Sequence, residues 1–127
     1  MLVVAYATSF PVKVRSASMD LIVASALFAL VNGTMEEVLW RGSYLVEFPH
    51  SWFWGYVYPA IWFGLWHLAP QVVQKAQIPG GAITLALGAT VSGLVWGLVA
   101  KTSGSVRWTV LTHILYNFSN LRGDLFL

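Results

Sequence analysis

Charge is what this chain has least of. Lys, Arg, Asp and Glu together make up 9% of its 127 residues, where a soluble domain carries about 25%. That scarcity excludes an ordinary solvated surface. Cysteine is absent altogether. Its absence excludes disulfides, thiol nucleophiles and thiolate metal sites, but leaves the compartment open. No basic run interleaves with aromatics, and the net charge of +2 rests on few residues. A nucleic-acid partner is therefore excluded as well. Internal repeats, low-complexity segments and linkers are also missing. Met1 to Phe10 is apolar, but no basic segment precedes it, and Lys13 and Arg15 follow instead. This is the wrong order for a signal peptide, and the stretch is too short to span a bilayer. It is expected to be an interfacial piece or the remnant of an upstream helix.

What the chain does have is apolar residue, at 57%, with a mean hydropathy of +0.69. The pattern predicts an all-α fold: one domain over 1–127, a polytopic integral membrane helical bundle with about four core transmembrane helices. Pro11 to Met19 reads as a polar break, and Asp20 as a cap for the helix that follows. The first span is 20–47, stopped by Pro49. The second, 52–69, opens on Trp52, Trp54, Tyr56 and Tyr58, which suit the membrane–water interface. Pro59 is expected to kink it and Pro70 to close it. Gln71 to Gly81 reads as a polar loop. The third span, 82–100, is rich in small residues, and Gly93 and Gly97 have the spacing that lets helices approach closely. Lys101 to Ser105 reads as a tight turn, and 106–120 as the fourth span. Lys13, Arg15, Lys75 and Arg122 on one side against Lys101 and Arg107 on the other predict a cytoplasmic N-terminus.

Two of the five acidic residues sit side by side in this apolar setting, in Met35-Glu36-Glu37-Val38-Leu39-Trp40-Arg41. Neighbouring carboxylates repel, and burial penalises their charged forms. Such a pair is held for pairing or for chemistry. Glu37 and Arg41 are four apart and can pair on one helix face; they read first as a structural ion pair. Glu36 points about 100° away. Phe63 and His67 share the spacing, as do His113 and Asn117. Counting from the intervening turns, Glu36 and His67 lie roughly 20–24 Å deep, and His113 and Asn117 roughly 13–20 Å. Asn117 is then level with Glu36, and His113 about two turns shallower. Each residue alone has an ordinary structural explanation, His67 as a core histidine and Asn117 as an interhelical hydrogen bonder. The set at one depth is expensive inside a membrane and points to function.

Glu36-Glu37-x-x-x-Arg41, Phe63-x-x-x-His67 and His113-x-x-x-Asn117, in that order on separate apolar helices, resemble the CAAX protease and bacteriocin-processing family of intramembrane endopeptidases. The resemblance covers about 30–120. It implies hydrolysis of peptide bonds in a membrane-associated substrate: a prenylated C-terminal tail, or in bacterial members a bacteriocin or leader peptide. It implies Glu36 as the base that activates water, and His67 as a group that positions that water or ligates a metal. His113 and Asn117 would stabilise the oxyanion, while Glu37, Arg41 and Phe63 shape the site. Glu36, His67 and His113 are the candidate ligands for a divalent metal such as zinc, although the His-Glu-x-x-His motif is absent.

Other intramembrane chemistries fit less well. Asp20 and Asp124 lie at span ends, which disfavours an aspartyl mechanism, and Ser92 has no supporting motif for a serine one. The implied partners are membrane lipids and a peptide or protein substrate, and the implied location is a prokaryotic cytoplasmic or plasma membrane. The family core has further helices before the first motif, so a minimal or truncated core is expected here. The alternative function is a non-catalytic membrane immunity or scaffold protein of the same family.

Overall fold

The structure is a computed structural model and describes residues 10–73, 75 and 78–120. The expectation for Met1 to Phe10 lies, apart from Phe10, outside these residues, as does Arg122 in the charge count. All regular structure among the described residues is helical, as the composition predicts.

Residues 10–16 form helix α1, so the polar break expected from Pro11 to Met19 shrinks to Ala17 and Ser18. Lys and Arg are good helix formers, and Ser16 Oγ folds back onto the Val12 and Lys13 carbonyls, each at 3.1 Å. Helix α2 spans Met19–Glu37. Its cap is Ser18, whose Oγ accepts the Leu21 N–H at 3.3 Å, the N3 position that a capping hydroxyl serves. Asp20, expected as the cap, lies inside the first turn, where a carboxylate still suits the helix dipole.

Helix α2 continues through a π-helical turn, Val38–Gly42, into α3, Ser43–Glu47. The run from Met19 to Glu47 is 29 residues long, about 43 Å and enough to cross a hydrocarbon core of about 30 Å. A second π-helical turn, Phe53–Val57, leads into α4, Tyr58–Trp66. Pro59 has no N–H to offer the carbonyl four residues back. Just upstream the ladder widens, and the Val57 N–H bonds Trp52 O at 3.1 Å. This π turn is the irregularity the structure shows where a proline kink was expected.

Helix α4 ends three residues before the expected limit of 69. Pro70 cannot donate to Trp66 O, and the Ala69 N–H takes that carbonyl instead at 3.0 Å. The chain tightens into three-residue turns, with a 3-10 segment at Pro70–Val72. Helix α5, Gly81–Ser103, is framed by Gly80 and Gly104, both at positive φ. Helix α6 is Arg107–Ser119. Two helical runs, Met19–Glu47 and Gly81–Ser103, are long and apolar enough to cross a membrane.

The chain divides into two units: Met1–Glu36 with Val110–Leu127, and Glu37–Thr109. The division falls between the two glutamates. In the second unit α4 packs along α5. A Cβ on Gly64 would overlap Thr90 Oγ1 and lie 2.6 Å from Ala86 O, and one on Gly93 would lie 3.2 Å from Ala60 Cα. Small residues on both helices thus set the approach. Lys101 lies in the last turn of α5 rather than in a loop. Its Nζ donates to Pro49 O at 3.0 Å and sits 5.3 Å over the Trp52 ring, pinning the turn after α3. In the first unit α2 meets α6 at Gly33 and Ile114. A Cβ on Gly33 would come within 3.1 Å of the Ile114 backbone nitrogen.

The α4–α5 contact gives a pair of predictions. Gly64→Val should lower stability by about 1–3 kcal/mol or more through overpacking. Gly88→Ala, with nothing within 4 Å of the added carbon, should stabilise by up to about 1 kcal/mol. Thermal unfolding in detergent checks both, and equal melting of the two variants would contradict the packing account.

Candidate functional site

Burial falls on one line of the long helix: Ser25, Ala29, Gly33, Glu37 and Arg41, each four residues apart, are all buried. On α6 the buried line is Thr109, His113 and Asn117, polar throughout. Burying such groups costs free energy unless they are hydrogen-bonded or paired, so each needs a partner or a use.

In the first unit Glu36 lies across from His113, with Oε2 3.5 Å from Nε2. The His113 side chain is 4% exposed and that of Glu36 16%. The distance suits an ion pair but is too long for a good hydrogen bond. One helical turn beyond His113, Asn117 is buried, and its Nδ2 makes no hydrogen bond among the described residues. A buried amide donor left unspent is uncommon in folded proteins. The structure therefore corrects the depth count. His113, not Asn117, is level with Glu36. The count assumed that the turns between helices lie at one height, whereas the close approach at Gly33 and Ile114 sets this register.

In the second unit Arg41 Nη1 donates to Glu37 Oε1 at 2.9 Å, with side chains 3% and 0% exposed. The guanidinium carbon lies 4.1 Å from the Phe63 ring centroid and 5.6 Å from that of Trp96. These distances put two aromatic rings against a desolvated cation, an attractive arrangement. Phe63 also meets His67, the ring centroids 4.7 Å apart and edge-on.

His67 is not inside a helix, as expected, but is the residue that ends α4. Its Nδ1 lies 2.8 Å from Phe63 O. A carbonyl oxygen can only accept, so Nδ1 carries the proton. In the neutral ring Nε2 is then the basic nitrogen.

The structure thus gathers Glu36, His113 and Asn117 in one unit and Glu37, Arg41, Phe63 and His67 in the other. Among the described residues no group of three His, Cys, Asp or Glu side chains is placed to hold a metal ion. Of the candidate ligands, Glu36 and His113 lie in the first unit and His67 in the second. Sequence reasoning missed Trp96 and both π-helical turns. The signal for Trp96 was a bulky ring between Gly93 and Gly97 on an otherwise small-residue face. The π turn at Val38–Gly42 directly follows the glutamates, a common place for such bulges near functional groups. Gly42 and Ser43 marked it, since the Ser43 N–H and hydroxyl both reach Val38 O.

The family model described as Type II CAAX prenyl endopeptidase Rce1-like matches residues 18–119, which include every residue named in this site. No curated protein and no solved structure was found to match the chain.

The buried ion pair makes its own prediction. Arg41→Met strands the Glu37 carboxylate and should cost about 3–5 kcal/mol. The double variant Glu37→Leu/Arg41→Met should recover part of that loss. A thermal melt of the double variant as low as the sum of both single losses would contradict this.

Proposed function

Because this chain belongs to the type II CAAX prenyl endopeptidase Rce1-like family, we propose that Glu36 activates a water molecule for hydrolysis of a peptide bond. At the family level it is a CAAX-type intramembrane endopeptidase, an integral membrane protein whose substrate is a peptide at the membrane. The finer reading is that the substrate carries a prenylated tail or is a bacteriocin- or leader-like peptide. The observation that carries the mechanism is the Glu36–His113 approach at 3.5 Å with the unspent Asn117 donor one turn away.

The chemistry follows from those groups. Glu36 takes a proton from water as the oxygen attacks the scissile carbonyl. The carbonyl becomes a tetrahedral oxyanion, and Asn117 Nδ2 and a protonated His113 Nε2 donate to it. Glu36 then returns its proton to the departing amine. The resemblance to the family gives His67 the role of positioning the attacking water. Glu37 and Arg41 hold the segment in shape. No step is routed through a metal.

Cleavage of a farnesylated C-terminal peptide by membranes containing the chain tests this. Glu36→Gln should abolish turnover while leaving the melting curve unchanged. Asn117→Ala should lower kcat by about 100- to 1,000-fold, the usual loss for one oxyanion donor, and His67→Ala should also depress it. If Glu36→Gln cleaves as well as wild type, the hydrolytic reading fails; a phenotype that survives this substitution would point instead to an immunity or scaffold role.

A further inference from the structure

We infer that Trp96 is a positioning residue for His67, acting through Arg41 and Phe63; this rests on the hydrolytic reading of the site. Four groups of one unit form an unbroken series of contacts. The Arg41 guanidinium carbon lies 5.6 Å from the Trp96 ring and 4.1 Å from the Phe63 ring. The rings of Phe63 and Trp96 are themselves 6.5 Å apart. Phe63 then holds His67 twice. Its ring meets the imidazole edge-on at 4.7 Å, and its carbonyl accepts the Nδ1 proton at 2.8 Å.

The ring and the carbonyl belong to the same residue, so what fixes the Phe63 ring also fixes the group that selects the His67 tautomer. Phe63 is 2% exposed, and its surroundings are filled. Trp40 packs edge-on at 6.3 Å, and Arg41 and Trp96 occupy further sides. Helix α4 ends at Trp66, so the regular helical ladder stops just before His67. Its orientation then depends on side-chain support more than that of a mid-helix residue. Arg41 is held by Glu37, which leaves Trp96 as the member contributed by α5. Removing that ring opens space beside the guanidinium, lets Arg41 and Phe63 shift, and frees the imidazole to exchange its proton between Nδ1 and Nε2. An imidazole with the proton on Nε2 presents a donor where the mechanism needs an acceptor.

The test compares Trp96→Leu, Trp96→Phe and Lys101→Met. The last removes a different contact of the same unit, that of Nζ with Pro49 O, and controls for general destabilisation. Two readouts are taken in detergent: kcat and KM on the farnesylated peptide, and the nitrogen NMR spectrum of 15N-histidine protein. The three histidines are separated with a His67→Gln variant.

We expect wild-type His67 to show Nδ1 protonated. Trp96→Leu should mix the tautomers and lower kcat about tenfold to a hundredfold, the scale of an ångström-level misplacement, with KM near wild type. Trp96→Phe should restore both. A His67 spectrum in Trp96→Leu identical to wild type would overturn the inference. Equal kcat losses in Trp96→Leu and Lys101→Met with His67 unchanged in both would overturn it too. If wild type fails to cleave the peptide, the hydrolytic reading is what fails, and the spectra alone then decide whether Trp96 orients His67.

Discussion

A guanidinium removed from water must be compensated on every side, and in this protein Arg41 sets that demand. The cost of desolvating it and Glu37 is several kcal/mol per ion. It is met by a 2.9 Å contact between them and by the faces of two aromatic rings. These contacts draw residues from the π-helical turn, from α4 and from α5 to one point. Once Phe63 is committed to the cation, its carbonyl and the His67 ring that depends on it are committed as well. The ion pair is thus less a source of net stability than a constraint that leaves few arrangements open.

Against that constraint the two adjacent glutamates take opposite fates. Glu37 is wholly buried, and its Oε1 accepts from Arg41 Nη1. Glu36, one residue earlier, points elsewhere and approaches His113 at a distance that leaves its Oε2 without a hydrogen bond. Asn117 repeats the pattern from the donor side. Buried groups with unused hydrogen-bonding capacity are costly and uncommon. The backbone is irregular at two points of the second unit: the π turn follows the glutamates in sequence, and α4 ends just before His67.

Much of this was legible in the residues. Apolar runs bounded by Pro49, by Pro70 and by the polar segments Gln71–Gly81 and Lys101–Ser105 placed the long helices to within a few residues, because a helix stops where its apolar periodicity or its donors run out. Four-residue spacing paired Glu37 with Arg41 and Phe63 with His67, because such pairs share a helix face whatever the tertiary packing. The ordered polar motifs likewise pointed to the family. Local capping was read two positions off, since Ser18 and Asp20 are both suitable caps and only the observed hydrogen bond separates them.

Other features were decided by contacts between segments far apart in sequence. His113 is level with Glu36 because a glycine at position 33 admits the backbone of Ile114, and residue counting from a turn cannot see such an offset. Lys101 belongs to a helix and reaches Pro49, 52 residues away, since a carbonyl there needed a donor. Trp96 matters because Arg41 lies against it. The sequence by itself determined which segments are helical, which polar residues share a face and which family the chain resembles, for these follow from spacing along one chain. Tertiary structure alone decided which faces meet, at what height, and that Glu36 lies across from His113, because those outcomes depend on steric fit and desolvation between helices.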